Sequence, residues 1–196
     1  MAARKFNWGT ALFVLVVLIA IAALAYSALH EMRGNTPSAV SSQDSPAASA
    51  SDFIVSQPAK PVPDTVFTDA QGGSHTLADY KGGYVLVNFW ATWCAPCKVE
   101  LPSLARLKDK MGDKLKVVTI SVDKNADLAA KYLSDQGLTG LDSYTDSSLD
   151  LSIALGANEL PTTVLIDPKG DAIGRHTGGA EWDSPAAIAA LQEIIG

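Results

Sequence analysis

Trp93-Cys94-Ala95-Pro96-Cys97 sits at the seam between two periodic segments. Before it, Tyr84-Val85-Leu86-Val87-Asn88-Phe89-Trp90 is a short apolar, β-branched and aromatic run that predicts a buried central strand. After it, Lys98-Val99-Glu100-Leu101 leads on to Met111 with Leu104, Leu107 and Met111 at helical spacing, which predicts a helix over 95–111. A Cys-x-x-Cys at a strand-to-helix junction puts its first sulfur at the open end of a helix. Free N–H groups and the macrodipole there favour a thiolate over a thiol. A thiolate attacks disulfides, and a second cysteine three residues on can resolve the mixed disulfide. Pro96 fits the first helical turn, where its missing N–H is no loss.

Bulk properties narrow the alternatives. The two cysteines of this 196-residue chain both lie in that motif, which excludes a disulfide framework and a four-cysteine zinc site. A two-cysteine metal site would need further ligands. His30 lies at the end of an apolar run, and His75 and His176 lie on predicted strands without a shared motif. The net charge of −6 arises from Lys60 onward, and no basic stripe exists, so nucleic acid is not an expected partner.

Phe6–Leu29 carries no charge over 24 residues, long enough to cross a bilayer as a helix. Trp8 and Tyr26 stand near its ends, at interfacial positions. Arg4 and Lys5 precede it, so the positive-inside rule places the N-terminus in the cytoplasm and the remainder outside. The alternative is a cleaved signal, with Ala23-Leu24-Ala25 as cleavage site. Of residues 34–63, seventeen of 30 are Ser, Ala or Pro, which predicts a tether spanning about 30 Å. Phe53-Ile54-Val55 is its one apolar triplet, to be docked on the domain or solvated. The expected organisation is a cytoplasmic N-terminus (1–8), a single-pass inner-membrane anchor (9–29), a flexible periplasmic linker (30–63) and a folded domain (64–196).

Within that domain the pattern predicts a hairpin about Gln71-Gly72-Gly73-Ser74, then strand 84–90 and helix 95–111, kinked at Pro102. Strand 116–122 and helix 125–136 follow, the latter with Leu128, Tyr132 and Leu133 inward. A short helix 148–155 capped from Asp146-Ser147-Ser148 comes next. Strands 162–167 and 172–177 then pair about Pro168-Lys169-Gly170-Asp171, and a last helix, 184–195, is capped by Ser184. That order gives an α/β domain with a mixed sheet covered on both faces.

Val87-Asn88-Phe89-Trp90-Ala91-Thr92-Trp93-Cys94-Ala95-Pro96-Cys97-Lys98, followed downstream by Leu160-Pro161-Thr162-Thr163, resembles the thioredoxin superfamily over roughly residues 60–196. With an N-terminal anchor it is most similar to the TlpA/ResA branch of thiol-disulfide reductases. The resemblance implies a thioredoxin fold with Cys94 as nucleophile and Cys97 as resolving cysteine. It also implies a cis bond before Pro161 and substrate contacts from Trp93, Ala95, Pro96, Leu160 and Pro161. It implies no cofactor and no resident metal.

The partners it implies are protein disulfides in cytochrome oxidase copper-site assembly or cytochrome c maturation, with a membrane thiol-electron donor. Two departures qualify it. Asn88 stands where many thioredoxins carry a buried aspartate, and an amide is no general base; Glu159 is either a substitute carboxylate or a solvated loop glutamate. Leu155-Gly156-Ala157-Asn158-Glu159-Leu160-Pro161 replaces the Gly-Val-x-Gly-x-Pro-Glu segment of cytochrome c maturation reductases.

Trp93 reads as partner-facing surface and Trp90 as packing, while Lys98 either supports the thiolate or faces water. Gly178-Gly179-Ala180-Glu181-Trp182 resembles a TlpA-type stretch without evident chemistry, with Trp182 packing the last helix. Two rival classes remain. A Cu(I)-binding module would need His75 or His176 beside both sulfurs. A redox-inactive adaptor would bind clients without either cysteine. A peroxidase is disfavoured, because the Thr-x-x-Cys context of peroxiredoxins is absent.

Overall fold

A computed structural model describes residues 54–196, together with the helical positions Leu18, Ile19, Ala23 and Tyr26. The expected anchor lies outside the described residues except at those four positions, and the tether lies outside them up to residue 53. No helix among the described residues is long and apolar enough to cross a membrane.

Eight strands form one sheet: β1 (Ile54–Pro61), β2 (Phe67–Asp69), β3 (Ser74–His75), β4 (Tyr84–Trp90), β5 (Leu115–Ser121), β6 (Tyr144–Thr145), β7 (Thr162–Ile166) and β8 (Asp171–Thr177). Their spatial order is β1-β8-β7-β4-β5-β6-β2-β3. β4 runs parallel to β5 and antiparallel to β7, so the sheet is mixed and β4 lies inside it. The helices are α1 (Ala95–Met111), α2 (Ala126–Asp135), α3 (Asp150–Ala154) and α4 (Pro185–Ile195).

Side chains of β4 alternate between two cores, as the two-residue period of a strand requires. Leu86 and Trp90 join Leu101, Leu104 and Leu107 of α1, Leu133 of α2 and Leu191 of α4 on one face. Val85, Val87 and Phe89 join Phe67, Val118, Ile120, Val164 and Leu151 of α3 on the other. Burial on both faces explains why β4 reads as a continuous apolar run rather than an alternating one. α1 continues through Pro102, whose missing N–H leaves one intrahelical bond unmade. Ser184 caps α4 by accepting from the Ala187 N–H at 3.2 Å.

Three expectations are corrected. Residues 54–61 are strand rather than linker, paired antiparallel with β8. Leu128 is exposed on α2, not inward, because the short helix buries only Ala129 and Leu133 fully. The helix after Asp146 begins at Asp150 rather than 148, following a turn in which the Ser152 N–H donates to Asp146 Oδ2 at 2.8 Å.

Candidate functional site

The C-terminal end of β4 feeds directly into the redox motif. Thr92 anchors that junction: its N–H and Oγ1 donate to the two carboxylate oxygens of Asp123, each at 2.9 Å. Ser121 Oγ donates to the same carboxylate at 2.7 Å. Cys94 then occupies the N-cap of α1, in extended conformation, and its Sγ accepts from the Cys97 N–H at 3.3 Å. Cys94 and Cys97 are joined as a disulfide. Cys94 is 6% exposed and Cys97 fully buried, so only the first sulfur can meet another macromolecule. Trp93 beside it is 69% exposed, as its surface reading required, whereas Trp90 is buried in the core. Ala95 and Pro96 are exposed as well.

The Leu160–Pro161 bond is cis. Gly178 fixes this segment from behind, its N–H donating to the Pro161 carbonyl at 2.8 Å. Among the described residues the Leu160 N–H and C=O make no hydrogen bond. Leu160 and Trp93 line one groove of about 590 Å³ together with Val122, Leu149, Ile153 and Ala157.

Glu159 is exposed and does not supply the buried carboxylate of the site. Glu100 does. It lies one helical turn beyond Cys97 and is almost fully buried. Its Oε1 accepts from Asn88 Nδ2 at 2.8 Å, and its Oε2 from Trp182 Nε1 at 3.0 Å and the Ala180 N–H at 3.1 Å. Burial raises its pKa from 4.5 to about 7, against the opposing pull of those three donors. Asn88 also donates to Thr163 Oγ1 at 2.9 Å, because Thr163 stands directly across from it in the β4–β7 register. Asn88 Oδ1 is buried without a partner. The Gly178–Trp182 stretch therefore has a use that the sequence did not suggest: two of its groups hold a buried carboxylate one helical turn beyond Cys97.

A signal for Glu100 was present. It lies four residues before Leu104 and seven before Leu107, so it interrupts the apolar stripe of α1 with a charge. Lys98 stands over the Tyr132 ring, 5.8 Å from its centroid. His75 is bound to Asp69 at 2.9 Å on β3, at the far edge of the sheet. His176 is buried on β8 and packs edge-on against Trp182. Among the described residues no three His, Cys, Asp or Glu side chains converge as metal ligands, so neither histidine completes the copper set of the rival reading.

This geometry has counterparts among known proteins. The model of the AhpC/TSA family matches residues 58–172. The thiol-disulfide oxidoreductase ResA of Geobacillus kaustophilus is 37% identical over 112 residues, covering 56% of this chain and 63% of that protein. The chain thus spans just under two thirds of that relative's length. ResA of Bacillus thuringiensis subsp. konkukian is 34% identical over 61% of this chain and 69% of its own. Among solved structures, a Chlorobium tepidum protein described as a thiol:disulfide interchange protein DsbE superposes with a TM-score of 0.63 at 26% identity. That match covers 70% of this chain and 97% of the other. With a mixed sheet, a Cys-x-x-Cys at the start of α1 and a cis-proline strand entry in common with its expected fold, this chain belongs to the AhpC/TSA family and is a thioredoxin-fold relative of the ResA thiol-disulfide oxidoreductases.

Proposed function

We propose that this protein is a membrane-tethered thiol-disulfide oxidoreductase that reduces protein disulfides outside the cytoplasm. The observation that carries the reading is the asymmetry of the dithiol: one sulfur slightly exposed on a helix N-cap, the other fully buried one turn along. In the reduced enzyme the Cys94 thiolate attacks one sulfur of a client disulfide. The client S–S bond breaks, a Cys94–client mixed disulfide forms, and one client sulfur leaves as thiolate. Cys97 loses its proton and attacks Cys94, which releases the second client thiolate and leaves Cys94–Cys97 oxidised. Glu100, one helical turn beyond Cys97 and with its pKa raised by burial to about 7, is the acceptor of that proton in this scheme. Leu160 offers its unpaired backbone groups to an extended client segment beside Pro161, while Trp93, Ala95 and Pro96 supply contact area.

The apolar run over 9–29 and the charges before it support an inner-membrane anchor with the domain in the periplasm. A membrane thiol-electron donor then restores the dithiol. The resemblance to TlpA and ResA supports copper-site proteins or apocytochromes as clients. Ala95-Pro96 places no charge beside Cys94, which favours a reducing potential.

The test is covalent trapping with the full chain. Cys97→Ser accumulates a client adduct through Cys94, released by reductant, and Cys94→Ser accumulates none. Equal adducts in both variants would overturn the assignment of nucleophile and resolving cysteine.

A further inference from the structure

Leu149 is the one non-glycine residue among the described residues with a left-handed backbone, at φ 66° and ψ 9°. The turn leading into α3 imposes it. The Leu149 N–H donates to the Asp146 carbonyl at 3.2 Å, and the Leu149 carbonyl accepts from the Ile153 N–H at 3.0 Å and Ser152 Oγ at 3.1 Å. Glycine or asparagine adopts that conformation at low cost, whereas a side chain as large as leucine is strained there. Burial gives little in return, because Leu149 is 39% exposed. Ile153, one turn further on α3, is 61% exposed. A residue unfavourable in both backbone and exposure points to a use in binding.

Both side chains line the groove that runs past Trp93 and Leu160. Of its four polar side chains two are engaged elsewhere, while Lys124 and Asn158 are exposed. Both Asp123 oxygens already accept from Thr92 and Ser121, and Ser152 Oγ donates to the Leu149 carbonyl. Trp93, Val122, Leu149, Ile153, Ala157 and Leu160 make up most of the lining, so the groove between Trp93 and α3 is mainly apolar. Its occupant is polypeptide, since the free N–H and C=O of Leu160 at its edge match the backbone of an extended strand. The strand period then sends alternate side chains toward the groove.

Resting on the reading of Cys94 as nucleophile, we infer that Leu149 is a specificity residue: with Ile153 it receives a large apolar side chain of the client segment flanking the attacked cysteine. The enzyme thereby selects disulfides set in apolar sequence.

The experiment compares reduction of two model disulfide-bonded peptides by the full-length protein. The peptides differ only in Phe or Ser at the positions flanking the cysteine. Wild type reduces the Phe peptide about tenfold faster, equivalent to ~1.4 kcal/mol. Leu149→Gly and Leu149→Asn, both compatible with the left-handed backbone, bring that ratio toward one. Their thermal midpoints equal or exceed that of wild type, because strain and exposed apolar surface are both removed. A wild-type ratio of one, or a ratio kept in both variants, overturns the role of Leu149 while leaving the oxidoreductase reading intact. A dimer in solution that dissociates on Leu149→Asn would also overturn it, by making the groove a contact between copies. Absence of Cys94-dependent turnover on either peptide would overturn both readings.

Discussion

Glu100→Gln removes a carboxyl group whose proton the fold holds more tightly than an open chain does. Burial is the cause, and it raises the pKa from 4.5 to about 7 although three donors oppose it. At 1.36 kcal/mol per pH unit, that difference corresponds to about 3 kcal/mol between the two protonation states. The sign follows from linkage. Below pH 4.5 folded and unfolded chains both carry the proton, and its stabilising contribution is fully present. Between 4.5 and about 7 the unfolded chain ionises first, so stability falls as pH rises and the contribution is lost above the folded pKa.

Glutamine stays neutral throughout and lacks this slope. A turned Asn88 amide can accept from its Nε2 through the oxygen that is buried unpartnered in wild type. Urea unfolding of the oxidised full-length protein at several pH values between 4.5 and 8 measures the effect. The difference between wild type and Glu100→Gln should shift by about 3 kcal/mol against wild type across that range. Geometric mismatch of the glutamine adds only a constant offset. A difference independent of pH, or one that moves in favour of wild type as pH rises, would refute the reasoning.

Other perturbations test neighbouring parts of the account. Trp93→Ala should change unfolding free energy by no more than about 0.5 kcal/mol, since the ring is exposed, yet slow reduction of a protein disulfide several-fold. Asn88→Asp places a second carboxylate where an amide now lies 2.8 Å from Glu100. The two charges cannot coexist cheaply, so the pH midpoint of turnover should move to the alkaline side by about one unit or more. Asp183 accepts from Arg106 at 2.8 and 3.0 Å and from Lys110 at 3.0 Å, which holds its carboxyl below the usual range. Asp183→Asn should cost about 1 kcal/mol near neutral pH. That deficit should shrink as acid protonates the wild-type carboxylate, and at high salt.

The elements that position the dithiol were legible because each is fixed by local pattern. Tyr84–Trp90 and Ala95–Met111 begin and end where the apolar runs do, and Ser184-Pro185 marks the start of α4. The cis bond before Pro161 was available only through family resemblance, since nothing in the side chains around it dictates that isomer. β1 was hidden because residues 54–61 lie in a Ser-, Ala- and Pro-rich stretch and gain their strand character from pairing with β8. β6 was hidden because two residues carry no periodicity.

The buried carboxylate near Cys97 was hidden for a related reason. Glu159 is a candidate only through its closeness in sequence to Pro161, and a solvated loop glutamate is the other reading of it. Glu100 is recruited by Asn88, Ala180 and Trp182 from distant segments, a convergence that only the fold displays. The strain at Leu149 likewise has no sequence signature, because nothing marks a leucine as the residue a turn will force into the left-handed region.

The reductase direction is tested most directly by a redox titration of the full-length protein in defined dithiol/disulfide buffers, with the Cys94–Cys97 state read by thiol trapping. An uncharged Ala95-Pro96 between the cysteines predicts a potential below about −220 mV, toward the thioredoxin end of the scale. A value near about −120 mV would contradict the account and make the protein a donor of disulfides to its clients.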